Sequence, residues 1–175
     1  MTGSAVQVRR LQCAEERDIE GLSRVLLDCV EGGASVSFML PLAYDKARGF
    51  WSRAAQSMER GERCVLVAED GHGAIVGTVT LLFAEPENQP HRGDVTKMLV
   101  HRTARGRGVG AALLLAVEEE ALQRGRTLLV LDTASATAER LYRRGGWQAL
   151  GRIPDYALLP GGGFCDTTVM FKRLR

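Results

Sequence analysis

The chain has 175 residues, the length of one ordinary domain. Apolar residues make up 45% and charged residues 25%, so a sizeable core is available. The net charge is only +2, and the 23 basic residues, nearly all arginine, are scattered without the aromatic–basic stripe of a nucleic-acid binder.

In chain order, "VQVRRLQ" (6–12) alternates like a first strand. "AEERDIEGLSRVLLDCVEGG" follows with Ile19, Leu22, Val25, Leu26 and Cys29 at helical spacing, acids in its first turn and glycines as its stop. "ASVSFMLP" is a short loop. A second helix, "LAYDKARGFWSRAAQSMERG", repeats apolar positions from Ala43 to Met58. "CVLVAED" and "AIVGTVTLLF" read as two strands joined by hairpin chemistry at "DGHG". After the proline-containing loop "AEPENQPHRG" comes a strand, "DVTKMLV", then a glycine-rich segment and a helix of about four turns. "TLLVLDT" is apolar enough to predict burial on both faces. "ATAERLYRRGG" is a short helix, and "WQALGRI" and "TTVMFKRL" are strands around the predicted loop "PDYALLPGGGFCD". The pattern predicts a single α/β (α+β) domain over 1–175.

The four cysteines (Cys13, Cys29, Cys64, Cys165) are far apart, which favours buried free thiols over disulfides or a metal site. His72, His91 and His101 have loop-type neighbours and read as surface residues; no metal is predicted. The first residues lack a basic segment followed by a long apolar one, and no 18-residue apolar run exists. A cytoplasmic protein without a membrane partner is expected.

The segment Arg105-Gly106-Arg107-Gly108-Val109-Gly110 lies between a strand and a helix. Exposed amides at a helix start, with the helix's partial positive charge, favour an anion, and glycine lets a phosphate reach the backbone. The bland alternative is a tight turn where helix and strand pack closely. A nucleotide P-loop is excluded, because Ala111 and Ala112 follow Gly110 where lysine and a hydroxyl are required. A dinucleotide fingerprint fits Gly106-x-Gly108-x-x-Ala111, with Asp132 ending the next strand. Against it, non-apolar residues separate Val100 from Gly106, and too little chain follows for the remaining parallel strands.

The segment also resembles the [Q/R]-x-x-G-x-[G/A] motif of the GNAT superfamily of N-acetyltransferases. "LDT", "AERLYRRGGW" and the order of the flanking elements extend the resemblance over nearly the whole chain. It implies a mixed, mostly antiparallel sheet of about seven strands flanked by about four helices, and acetyl-CoA as cosubstrate. The amides from Arg105 to Ala111 (Arg105, Gly106, Arg107, Gly108, Val109, Gly110, Ala111) would bind its diphosphate. Met98, Leu99 and Val100 would pair with its pantetheine arm, and an amide there would stabilise the oxyanion of acyl transfer. The family often has asparagine where this chain has Ser135, three residues before Ala138; the serine is shorter and has less reach toward the coenzyme.

By the same resemblance, Tyr142, in the pattern Ala138-x-x-Leu141-Tyr142, is the acid beside the coenzyme sulfur. Alternatively it is a core tyrosine with a satisfied hydroxyl. Asp94 and Asp132 are the candidate bases. Asp94 alternatively ends a loop, and Asp132 alternatively caps the following helix. Residues 31–39, "LDT" and "PDYALLPGGGF" look most like the tabtoxin-resistance branch, which acetylates a small amino-acid-like toxin. Ser35, Ser37, Phe38 and Tyr156 either line the acceptor site or pack inward. The expected partner is a small-molecule primary amine. A homodimer is possible, as many relatives pair through their C-terminal strands, although no seam is self-evident. A coenzyme A-binding sensor on the same scaffold is the non-catalytic alternative.

Overall fold

The computed structural model describes residues 6–175. In chain order it contains β1 (Gln7–Arg10), α1 (Glu16–Glu31), α2 (Tyr44–Glu59), β2 (Arg63–Glu69), β3 (Ile75–Phe83) and β4 (Arg92–Val100). A 3-10 turn (Arg102–Ala104) then leads to α3 (Val109–Gln123), β5 (Leu128–Thr133), α4 (Ala136–Arg144), β6 (Gln148–Leu158) and β7 (Phe164–Arg173). One seven-stranded sheet runs β1-β2-β3-β4-β5-β7-β6. Every neighbouring pair is antiparallel except β4 and β5. This is the mixed sheet anticipated above, and it is not doubly wound, which removes the dinucleotide reading.

Period-2 alternation divides the strand side chains between two cores. Val79, Leu81, Val95, Leu129 and Leu131 pack with Leu113, Leu114 and Val117 of α3, and Tyr142 of α4 joins them. On the opposite face, Val65, Val67 and Leu99 pack with Leu22 and Leu26 of α1 and Trp51 of α2. Leu99 and Val95 share a strand but face opposite ways across an even interval. A β-bulge supplies the extra residue: the β3–β4 register shifts between Thr78 and Thr80, and Lys97 takes a left-handed φ of 50°.

The parallel ladder is short. Only residues 92–94 of β4 pair with 128–130 of β5; beyond them the strands diverge. The edge of β4 facing β5 is therefore bare from Val95 to Val100. This divergence changes the expectation for β5: Leu129 and Leu131 are buried, but Asp132 on the other face is exposed to the opening. The predicted loop 154–166 is mostly strand as well, because β6 extends to Leu158 and β7 begins at Phe164. Pro154 signals a loop, yet β6 is an edge strand, where proline is tolerated. A bulge between Ile153 and Ala157 absorbs the proline locally. All four cysteines are free, but only Cys29 and Cys64 are buried. His101 is half-buried, with its ring 3.5 Å from Asp28 and 2.8 Å from Thr103, so it organises the 3-10 turn.

Glu118 of α3 ties three elements together. It accepts from Trp147 Nε1 at 2.8 Å and from Lys172 Nζ at 2.6 Å, and Lys172 also donates to the Gly145 carbonyl. Removing one partner of a buried pair strands the other charge. Glu118→Ala should lower unfolding stability by about 3 kcal/mol in chemical denaturation. Glu118→Gln, which keeps an acceptor for the indole, should lose less.

Candidate active site

The glycine-rich segment turns into α3 without a side-chain cap, with Gly108 at the N-cap position. Gly106 and Gly108 have φ of 73° and 81°, a region L side chains rarely adopt. A Cβ at either would meet no atom within 4 Å, so their backbone conformation requires glycine and the space above them is open. Gly110 is different: a Cβ there would lie 3.0 Å from Leu141 Cδ2, so this glycine serves the contact between α3 and α4. Among the described residues, the amides of Gly106 through Ala111 have no backbone acceptor, whereas the Arg105 amide bonds weakly to the Arg102 carbonyl at 3.4 Å. The Arg105 side chain points back, donating from Nε to the Val100 carbonyl at 3.0 Å. Unpaired amides at the positive end of a 15-residue helix form an anion cradle. Its composition fits a diphosphate.

The bare edge of β4 ends beside this cradle. His101 N–H bonds to the Val76 carbonyl, and Leu99 lies opposite Thr78, so Leu99 directs its polar groups toward β3. Alternation then turns those of Met98 and Val100 toward the gap. An extended chain carrying amides can enter as an added strand between β4 and β5.

α4 borders the far side of the gap. Ser135 is its N-cap and accepts from the Ala138 amide at 3.2 Å. Tyr142 is 4% exposed and its ring stands 5.8 Å from that of Trp147. Burial first, and the charge of Asp132 second, push the phenol pKa well above its ordinary value of 10. Asp132 does not cap α4; it accepts from Thr167 Oγ1 at 2.7 Å. Asp94 is held by Arg92 at 2.7 Å and lies in an open depression with Arg63 and Leu82. Asp94 pairs with Val130, two residues before Asp132, so both carboxylates face the α1/α2 side of the sheet. Of the two, Asp132 is the one whose charge reaches Tyr142 and Lys97.

The acceptor-side candidates separate. Phe38 is buried, edge-on to Phe50 at 5.4 Å, and belongs to the core. Ser35 donates to the Leu158 carbonyl and joins the α1–α2 loop to the β6–β7 hairpin. Ser37, at φ 75°, lies 3.4 Å from Lys97 Nζ. Tyr156 is 54% exposed on the unpaired stretch of β6. Lys97 itself is absent from the sequence-based candidates. Its signal was a lysine interrupting the alternation of "DVTKMLV", where a bulge reverses the faces.

The sequence pattern of the "Acetyltransferase (GNAT) family" matches residues 36–147, spanning α2, the bare β4 edge, the cradle and α4. The chain belongs to this family. It is 27% identical over 170 residues to an uncharacterized N-acetyltransferase of Azospirillum brasilense, covering 87% of this chain and 98% of that one. Among solved structures it resembles a ribosomal-protein-alanine N-acetyltransferase of Brucella melitensis, with TM-score 0.79, 27% identity, and 96% and 99% of the two chains covered. It also resembles a phosphinothricin acetyltransferase of Sinorhizobium meliloti in complex with acetyl-CoA, with TM-score 0.81, 20% identity, and 97% and 88% covered.

Proposed function

We propose that the chain transfers an acetyl group from acetyl-CoA to the primary amine of a small, amino-acid-like molecule. The observation that carries this reading is the run of unpaired amides from Gly106 to Ala111, next to a β4 edge left bare by β5. These amides and the helix end hold the diphosphate, and Met98 and Val100 pair with the pantetheine amides. The Val100 carbonyl is already engaged by Arg105, so Met98 carries more of that pairing. Ser135 and Ala138 border the same slot.

Acetyl-CoA supplies a thioester carbonyl and a thiolate leaving group. As the amine nitrogen forms its bond to the acetyl carbon and the C–S bond breaks, Asp132, steadied by Thr167, takes the amine proton directly or through water. Tyr142 donates its O–H as a hydrogen bond to the departing sulfur. Its raised pKa keeps the proton on oxygen, so it stabilises the thiolate without surrendering the proton. Asp94, engaged with Arg92, shapes the field at the closed end of the opening.

The neighbour from Sinorhizobium meliloti is named a phosphinothricin acetyltransferase and was solved with acetyl-CoA. Together with the resemblance of the 31–39 loop to the tabtoxin-resistance branch, it supports a small amine, with a toxin of that kind as the narrower reading. The Brucella melitensis neighbour is named for a protein acceptor, so a peptide with N-terminal alanine belongs in the assay as competitor. In the test, acetyl-CoA raises the melting temperature by several degrees and NAD does not; thiol release with an amine panel then reports transfer. Coenzyme protection with no turnover on any amine would replace this reading with the sensor, and loss of protection would remove both.

A cytoplasmic homodimer completes the proposal. No helix among the described residues is long and apolar enough to cross a membrane. Leu150, Ile153, Leu158 and Phe164 are 42–68% exposed on the β6–β7 hairpin, whose outer strand is an edge. Exposed apolar edges invite pairing. Light scattering should give twice the 19.1 kDa chain mass, and Phe164→Glu should return it to 19.1 kDa.

A further inference from the structure

Lys97 is the one lysine held inside the opening. Lys172 is neutralised by Glu118, and Lys46 is exposed. The Lys97 ammonium sits 3.4 Å from Ser37 Oγ and 5.6 Å above the Phe50 ring, and among the described residues it forms no ion pair. An ammonium has three donors, and the serine takes one. Its backbone is kept in the left-handed region by the bulge, a conformation that persists only where the surroundings impose it. The bulge aims the side chain into the α1/α2 side of the cleft, where Asp132 also faces.

Lys97 and Asp132 feel each other's charge without touching, and Arg63 adds a further positive contribution. Burial outweighs Asp132 and lowers the Lys97 pKa, so the ammonium has given up hydration that no protein carboxylate replaces. Two opposite charges held apart on one face match a molecule whose own two charges are held apart with the signs reversed.

We propose that Lys97 selects the acceptor by binding a carboxylate on it, which sets the acceptor's amine toward Asp132. This inference rests on the acetyltransferase reading for its consequence in turnover, but not for the binding itself. The substrate class is then an amino acid or an amino-acid-like acid, as opposed to a neutral or polycationic amine.

The test uses the full chain, wild type, Lys97→Gln and Lys97→Arg, each saturated with coenzyme A or acetyl-CoA. Thiol release is followed with the protein L-amino acids and with their C-terminal amides. The wild type should prefer acid over amide. That preference, as a ratio of kcat/KM values, should fall about ten- to a hundredfold in Lys97→Gln, the size expected for losing one charge-assisted hydrogen bond. Lys97→Arg should recover most of it. In parallel, calorimetry measures binding of N-acetyl amino acids, the product class, to the coenzyme A-loaded protein; binding should weaken in Lys97→Gln. Preference for amides in the wild type overturns the proposal, and so does an acid preference unchanged in Lys97→Gln. If no amine is turned over, the calorimetric arm decides: equal carboxylate binding by wild type and Lys97→Gln, or none by either, also overturns it. Absent acetyl-CoA protection would instead be failure of the acetyltransferase reading.

Discussion

Gly108→Val should yield a folded protein that acetyl-CoA no longer protects against heat. At φ 81° a β-branched residue is strained, which costs about 1–3 kcal/mol of stability. More important is where the new side chain goes. A Cβ at Gly108 meets nothing within 4 Å, so the valine finds room in the opening beside the unpaired amides and competes with the diphosphate for it. Calorimetry should show acetyl-CoA affinity reduced on the order of a hundredfold, corresponding to about 2.7 kcal/mol. Gly110→Ala is the control with the opposite profile. Its Cβ presses on Leu141 at 3.0 Å, the end of a flexible side chain, so stability drops slightly while the cradle keeps its amides and its ligand. If both variants lose acetyl-CoA equally, disturbance of α3 rather than access to the amides would explain the loss.

Tyr142→Phe should lower kcat by about 10²–10³ and leave the affinity for acetyl-CoA within a few-fold. Phenylalanine keeps the ring against Trp147, so packing is preserved and only the hydroxyl is removed. The pH dependence distinguishes the proposed role from ordinary acid catalysis. Because burial and Asp132 raise the folded-state pKa above 10, the wild-type rate should show no decline from tyrosine ionisation up to that pH. The same shift bears on stability. A folded pKa raised above the unfolded one gives stability fully present below about pH 10 and lost as pH rises through the folded pKa. Alkaline unfolding above pH 10 should therefore be milder in Tyr142→Phe. A variant with wild-type kcat would return Tyr142 to a purely structural role in the α3-side core.

The elements legible in the sequence are those whose period matches their environment. α1, α2, β2 and β3 each have a covered face, and their apolar spacing marks them within a residue or two. The cradle was legible because glycine at positive φ and a helix start are both local properties. The second half of β6, from Pro154, and the start of β7 were not, although the strand at "WQALGRI" was. Residues 154–158 are almost all exposed and 164–166 are at most half-buried, so alternation carries little burial signal, and Pro154 with the glycines 161–163 reads as loop. The partner of Asp132 was also hidden. Ser135 supplies the helix cap, and Thr167, the fourth residue of β7, reaches the carboxylate only after the sheet has formed. Lys97 shows locally only as a lysine breaking an alternating strand; the direction in which it points depends on a register shift against β3, which no window of neighbouring residues contains.

That inserted residue has a further effect on what the gene can tolerate. It works as a parity switch, letting one strand line the reaction chamber with Asp94 and still tuck Leu99 under the first two helices. Deleting the codon for residue 97 would remove the extra residue and leave Val95 and Leu99 an odd number of positions apart, still on opposite faces, so the sheet would survive while the left-handed kink that aims the lysine would be lost. The length of β4 there therefore governs the aim of one side chain and not the packing of the sheet.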